Sequence, residues 1–185
     1  MNVASCMSCM SRLGQINRLK HCFDNRTLII IINTLVFSKL FYCSSAWSNT
    51  SQSNIAKLQA VQNFACRIVS GSKKYDHVTP ILRQLNWLPV KQHMCYRDSI
   101  MAFKCMNGLA PGYLSDQFIT RSSKSTHKTR NSQLLNIPLF KTATGQRTFY
   151  YRMVSLWNAL PQNIKLSPLL AHFKTLMRKR LLMDS

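Results

Sequence analysis

Glutamate is absent from this sequence. The 185 residues carry 25 Lys and Arg against five acids, all Asp, and the formal net charge is +20. A common general acid or base is therefore missing. No two of Asp24, Asp76, Asp98, Asp116 and Asp184 are neighbours, so the adjacent carboxylates of a two-metal polymerase site are missing as well. Glycine is scarce, with five residues that stand apart from one another, which excludes a Gly-rich phosphate loop. Six prolines and a hydrophobic share of 46% exclude a disordered basic tail. No basic stretch leads into a long apolar core at the N-terminus, so no secretory leader is expected. The seven cysteines, Cys6, Cys9, Cys22, Cys43, Cys66, Cys95 and Cys105, are odd in number and spread through apolar segments, unlike a secreted disulfide framework. Mostly buried thiols in a reducing intracellular setting, nucleus and/or cytoplasm, are expected.

What remains is a folded body with a cationic surface. Apolar residues recur at helical spacing through most of the chain, which predicts a mainly α fold: an irregular helical bundle with a small extended or β element in its C-terminal third. Leu13, Ile16, Leu19 and Phe23 mark a first helix, and Asp24 is placed to cap the next. Leu28 to Trp47 is apolar over 20 residues, long enough to span a bilayer. Asn33, Ser38, Lys39, Ser44 and Ser45 interrupt it, which favours a buried core helix, with a membrane anchor over 28–47 as the alternative. A third helix, capped by Ser53 and stopped at Gly71, carries Leu58, Val61, Ala65 and Ile68 on one face. Thr79–Pro80 opens a short turn, and Pro89 to Asn107–Gly108 bounds a helix with apolar residues around most of its circumference. Leu134 to Phe140 reads as extended, Thr148 to Tyr151 as a strand leading into a helix with Trp157, and Ser167–Pro168 as the cap of a terminal helix. The expected organisation is a helical region over 1–118, a basic Ser/Thr-rich loop over 119–133, and a basic helical and extended region over 134–185.

Chemistry is thinly represented. Cys6-x-x-Cys9 with His21 and Cys22 has the ligand types for zinc, but adjacent His and Cys cannot easily both face one metal from a helix. His77, His93, His127 and His172 have no spacing that singles one out. Neither catalytic nor metal-ligating residues are assigned, and no cofactor is expected. The strongest signal is the interval between Asp116 and Asp184, which holds no acid. Cations near a phosphate backbone gain by releasing counterions. Phosphate contact is therefore expected from Arg121, Lys124, Lys128 and Arg130 in the loop, from Arg147 and Arg152, and from Lys174, Arg178, Lys179 and Arg180 on the last helix. The interleaved Phe140, Phe149, Tyr150, Tyr151 and Trp157 could stack on bases, but their spacing places them in the core.

An ordered set of short motifs resembles the C-terminal, post-polymerase part of reverse transcriptases from non-LTR retrotransposons, the LINE elements of the jockey-like group. These are Arg12–Leu13–Gly14, Tyr42–Cys43–Ser44 with Trp47, and Leu58–Gln59–Ala60–Val61–Gln62–Asn63 leading to Ala65–Cys66–Arg67–Ile68. Leu85–Asn86–Trp87–Leu88–Pro89–Val90, Phe103–Lys104–Cys105–Met106–Asn107–Gly108–Leu109–Ala110–Pro111, and Leu156–Trp157–Asn158–Ala159–Leu160–Pro161 follow. The resemblance spans about Ser11 to Leu182. It implies a thumb-side helical body, cut from a palm whose paired-Asp turn would hold magnesium; that turn is absent here, so no magnesium is expected in this chain. The implied partners are RNA, an RNA–DNA hybrid or DNA, together with the upstream palm and fingers, and no membrane. It also implies that Met1 is an internal start in a decayed copy, so an inert remnant is a further alternative.

Overall fold

The computed structural model describes residues 3–124 and 133–183, and these form the mainly α fold expected. Two compact units divide within one long helix, the first closing at His93 and the second running from Met94 to Met183.

In the first unit, α1 (Val3–Leu19) buries Cys9, Leu13 and Ile16 and packs against α5 (Gln52–Ser70). Asp24 ends the connecting turn and caps α2 (Asn25–Ile32), its carboxylate accepting from Thr27 N–H at 3.3 Å. Hydrogen bonding from the Thr27 side chain, aided by its N–H, holds the Asp24 carboxyl below its ordinary value.

The single core helix expected over Leu28 to Trp47 is broken. α2 widens into a π-helical turn at Asn33–Phe37 before α3 (Ser38–Leu40), and Cys43, with φ +46, kinks the chain ahead of α4 (Ser44–Trp47). Side chains reach the carbonyls of the widened turn. Arg12 Nη1 donates to Leu35 O at 2.8 Å, Cys9 Sγ to Val36 O at 3.9 Å, and Ser38 Oγ to Thr34 O. Trp47 Nε1 donates to Tyr42 O at 2.8 Å and closes the kink. Among the described residues no helix is long and apolar enough to cross a membrane.

Ser51, rather than Ser53, caps α5. It holds the extended conformation a cap needs and accepts from Asn54 N–H at 3.3 Å. Gly71 ends the helix with φ +69, a conformation that glycine adopts without a Cβ clash. Two glutamines of α5 fix the chain beyond α6 (Thr79–Gln84): Gln62 Nε2 donates to Leu88 O, and Gln59 Oε1 accepts from Val90 N–H, each at 2.9 Å. This sets the start of α7 (Val90–Met106). Phe37, Phe41, Trp87 and His93 cluster there, Phe37 edge-on to Phe41 and Trp87, and Phe41 stacked on His93 with ring centres 3.8 Å apart.

The second unit is built on aromatic packing. Phe103 of α7 meets Phe173 of α13 (Leu170–Met183) at 4.5 Å between ring centres, with Trp157 of α11 (Phe149–Ala159) against both. The short helices α8 (Gly112–Ser115), α9 (Arg121–Lys124), α10 (Ala143–Gln146) and α12 (Gln162–Lys165) connect these. Thr148–Tyr151 is not a strand. Thr148 is extended at the cap position, and helix begins at Phe149. Strand propensity yields there to the burial of Met153, Val154 and Trp157 on one helical face.

The extended element is small: Thr120 and Leu135 form an isolated antiparallel bridge. Among the described residues no disulfide forms. Cys9, Cys66 and Cys105 are buried whereas Cys22 and Cys43 are exposed, so fewer thiols are covered than expected. The exposed pair sits at the end of a 3-10 turn and at the kink.

Candidate nucleic-acid interface

The second unit contains fourteen Lys and Arg against Asp98 and Asp116 alone. How its cations can act depends on what holds each one.

The bridge fixes the first group. Arg121 N–H donates to Leu134 O at 2.9 Å and Asn136 N–H to Ile119 O at 2.8 Å. From the other side the Asn158 amide pairs with Leu135 in both directions, Oδ1 accepting from its N–H and Nδ2 donating to its carbonyl, each at 3.0 Å. Tyr150 O–H adds a bond to Asn136 O at 3.3 Å. Residues 119–121 and 134–136 are thus laid side by side against α11, and the two ends of the basic Ser/Thr-rich segment are pinned together. Arg121 is half-buried at the start of α9, which Lys124 closes. Lys128 and Arg130 lie outside the described residues.

Arg147 is exposed at the C-terminal end of α10. Arg152 is differently placed. Its guanidinium donates to Asp98 Oδ2 at 3.2 Å, and the two side chains are only 19% and 9% exposed. Arg152 therefore holds α11 to α7 within the unit, and its charge is compensated.

On α13 the four cations do not share a face. Phe173, Met177 and Leu181 form the buried stripe. At about 100° per residue, Lys174 and Arg178 flank that stripe on one side and Arg180 on the other, while Lys179 stands opposite it. Lys174 and Lys179 are exposed; Arg178 and Arg180 are half-buried. Lys165, which lies outside the expected set, donates from Nζ to Asn158 O at 3.1 Å, and burial lowers its pKa. It steadies the residue that clamps Leu135.

The aromatics of this region face inward or each other. Phe118 meets Tyr150 edge-on at 5.6 Å, Phe140 meets Tyr151 at 6.1 Å, and Trp157 is buried. Burial raises the pKa of Tyr150.

The acids are dispersed. Asp24 caps α2, Asp76 closes a turn, Asp98 holds Arg152, and Asp116 ends α8. Among the described residues no group of three His, Cys, Asp or Glu could hold a metal ion, so these carboxylates do not fit a polymerase magnesium site. Of the expected cations whose side chains are described, Arg147, Lys174 and Lys179 are the exposed ones. No family model, curated protein or solved structure matches the chain.

Proposed function

We propose that this chain is the C-terminal, thumb-side part of a non-LTR retrotransposon reverse transcriptase, and that it binds RNA or an RNA–DNA hybrid through backbone phosphates without a catalytic centre of its own. The ordered motif set from about Ser11 to Leu182 supports the family. The observation that carries the binding function is the charge of the second unit: fourteen cations and two aspartates, with Asp98 already engaged by Arg152. A surface so one-sided repels itself, and a phosphate backbone relieves that repulsion.

Such a body acts by shape and charge. It holds a duplex so that a primer end stays in register with a catalytic centre on the palm and fingers. Phosphate contacts carry little sequence information, so binding is uniform across sequences and falls steeply with salt. Four to six engaged cations give a log–log slope of roughly −4 to −5 on duplex.

The test is fluorescence anisotropy with duplexes of unrelated sequence. Arg147→Gln, Lys174→Gln and Lys179→Gln replace exposed side chains and leave the core intact. Combined, they should weaken binding equally on every sequence and flatten the salt slope by up to about 3. Unchanged affinity and slope, or magnesium-dependent nucleotide incorporation by the purified chain, would overturn the proposal.

A further inference from the structure

The first unit holds a feature that the phosphate interface does not use. Beyond Gly71 the chain makes a tight turn from Lys73 to Asp76, closed by Asp76 N–H donating to Lys73 O at 3.2 Å. The Asp76 carboxylate accepts from Lys73 N–H at 2.6 Å. Arg67, in the last turn of α5, reaches across, with Nε donating to Lys73 O at 3.2 Å and Nη2 to Asp76 O at 3.5 Å. Ser70 and Ser72 bond to one another at 2.9 Å just before it. The turn is thus built from both ends and tied to the longest helix of the fold.

At its apex this construction displays Lys74 and Tyr75. Tyr75 is 90% exposed, more than Tyr42 at 74% or Tyr113 at 72%. Lys74 Nζ lies 5.6 Å from the Tyr75 ring centre. An aromatic ring held this far into water gains little from the fold, since little of its area is covered. Nor does the turn need Tyr there, because its hydrogen bonds are made by backbone, Arg67 and Asp76. An aromatic ring on a hydrogen-bonded turn with the Lys74 ammonium beside it has the two parts that recognise an unpaired nucleotide: a ring for the base and a cation for a neighbouring phosphate. A duplex offers no such base face along its length, because its bases are already stacked.

We propose that the Lys73–Asp76 turn is a stacking site for an unpaired base of single-stranded nucleic acid, separate from the duplex-binding cations of the second unit. The inference builds on the nucleic-acid function proposed above and adds strand selectivity to it.

The experiment measures anisotropy of the full chain with a labelled single-stranded RNA of mixed sequence, with the blunt duplex of that sequence, and with anionic lipid vesicles. Tyr75→Ala should lower single-strand affinity by roughly 5-fold or more and leave duplex affinity unchanged, whereas Tyr75→Phe keeps the stacking face and should bind as the parent does. The exposure of Tyr75 leaves folding unaffected, which circular dichroism checks. Unchanged single-strand affinity in Tyr75→Ala would overturn the site, as would equal losses on both nucleic acids, or a Tyr75-dependent affinity for vesicles alone. The two proposals fail separately. A parent chain that binds duplex but shows no Tyr75 effect on single strands loses only this site, and one that binds single strands through Tyr75 but no duplex loses only the duplex function.

Discussion

At the residue scale, two buried groups carry sharp consequences. The Asp98–Arg152 pair is mostly withdrawn from water. Asp98→Asn would remove the counter-charge facing a largely buried guanidinium, at a cost of about 3 kcal/mol in urea unfolding. Replacing the pair with Asp98→Leu and Arg152→Met should recover most of that loss. Arg152→Met should leave RNA affinity of the folded protein unchanged, because that charge already faces Asp98. The second group is Cys66, fully buried in α5, where burial pushes the thiol up to about 12 from its ordinary 9.0 despite the opposing Arg67 charge. The folded chain keeps that proton while the unfolded chain releases it. The stabilisation is therefore complete below pH 9 and is lost as pH rises toward 12. The urea midpoint should fall more steeply over that range in the parent than in Cys66→Ala. Equal slopes would show that other groups govern the alkaline response.

At the element scale, Asn158 replaces a strand. Its amide satisfies both backbone groups of Leu135, which is wholly buried. Asn158→Ala would leave those groups unpartnered and cost about 1–3 kcal/mol. It should also speed hydrogen exchange at the Leu135 amide, since that N–H would lose its Asn158 acceptor. The sequence carries the helices better than it carries such devices. Asp24, Gly71 and Pro89 are local punctuation, and α2, α5 and α7 begin or end beside them. Locality also explains the failures. The π-helical turn depends on Arg12 and Cys9, more than twenty residues away in the chain, reaching Leu35 and Val36. The spacing Thr148–Tyr151 resembles a strand until Trp157 and Phe173 supply a core for a helix. The candidate interface is legible only as composition. Which cations face solvent is decided by tertiary packing: Arg152 is drawn inward to Asp98, whereas Arg147 is exposed at the end of α10.

At the scale of the whole molecule, one property ties stability to function. A net charge of +20 on 185 residues opposes the compact state, because folding brings like charges together. The compensating pair at Asp98 and Arg152 is internal to the second unit and is shielded from salt. Added salt should therefore act mainly on repulsion. The Debye length shrinks to about 10 Å at ~0.1 M, so the thermal midpoint should rise from dilute buffer to moderate NaCl, then level off. Over the same range nucleic-acid affinity should fall, because released counterions gain less entropy when the bulk already holds many. The same lysines and arginines thus give opposite salt responses in two measurements. A chain whose cations were held by surface ion pairs would lose stability with salt instead. A short polyphosphate should raise the midpoint at concentrations far below those of NaCl needed for the same rise, since a contiguous anion neutralises several cations at once. A midpoint that follows ionic strength alone, whatever the anion, would mean that the cations are dispersed over the surface and do not form a polyanion site.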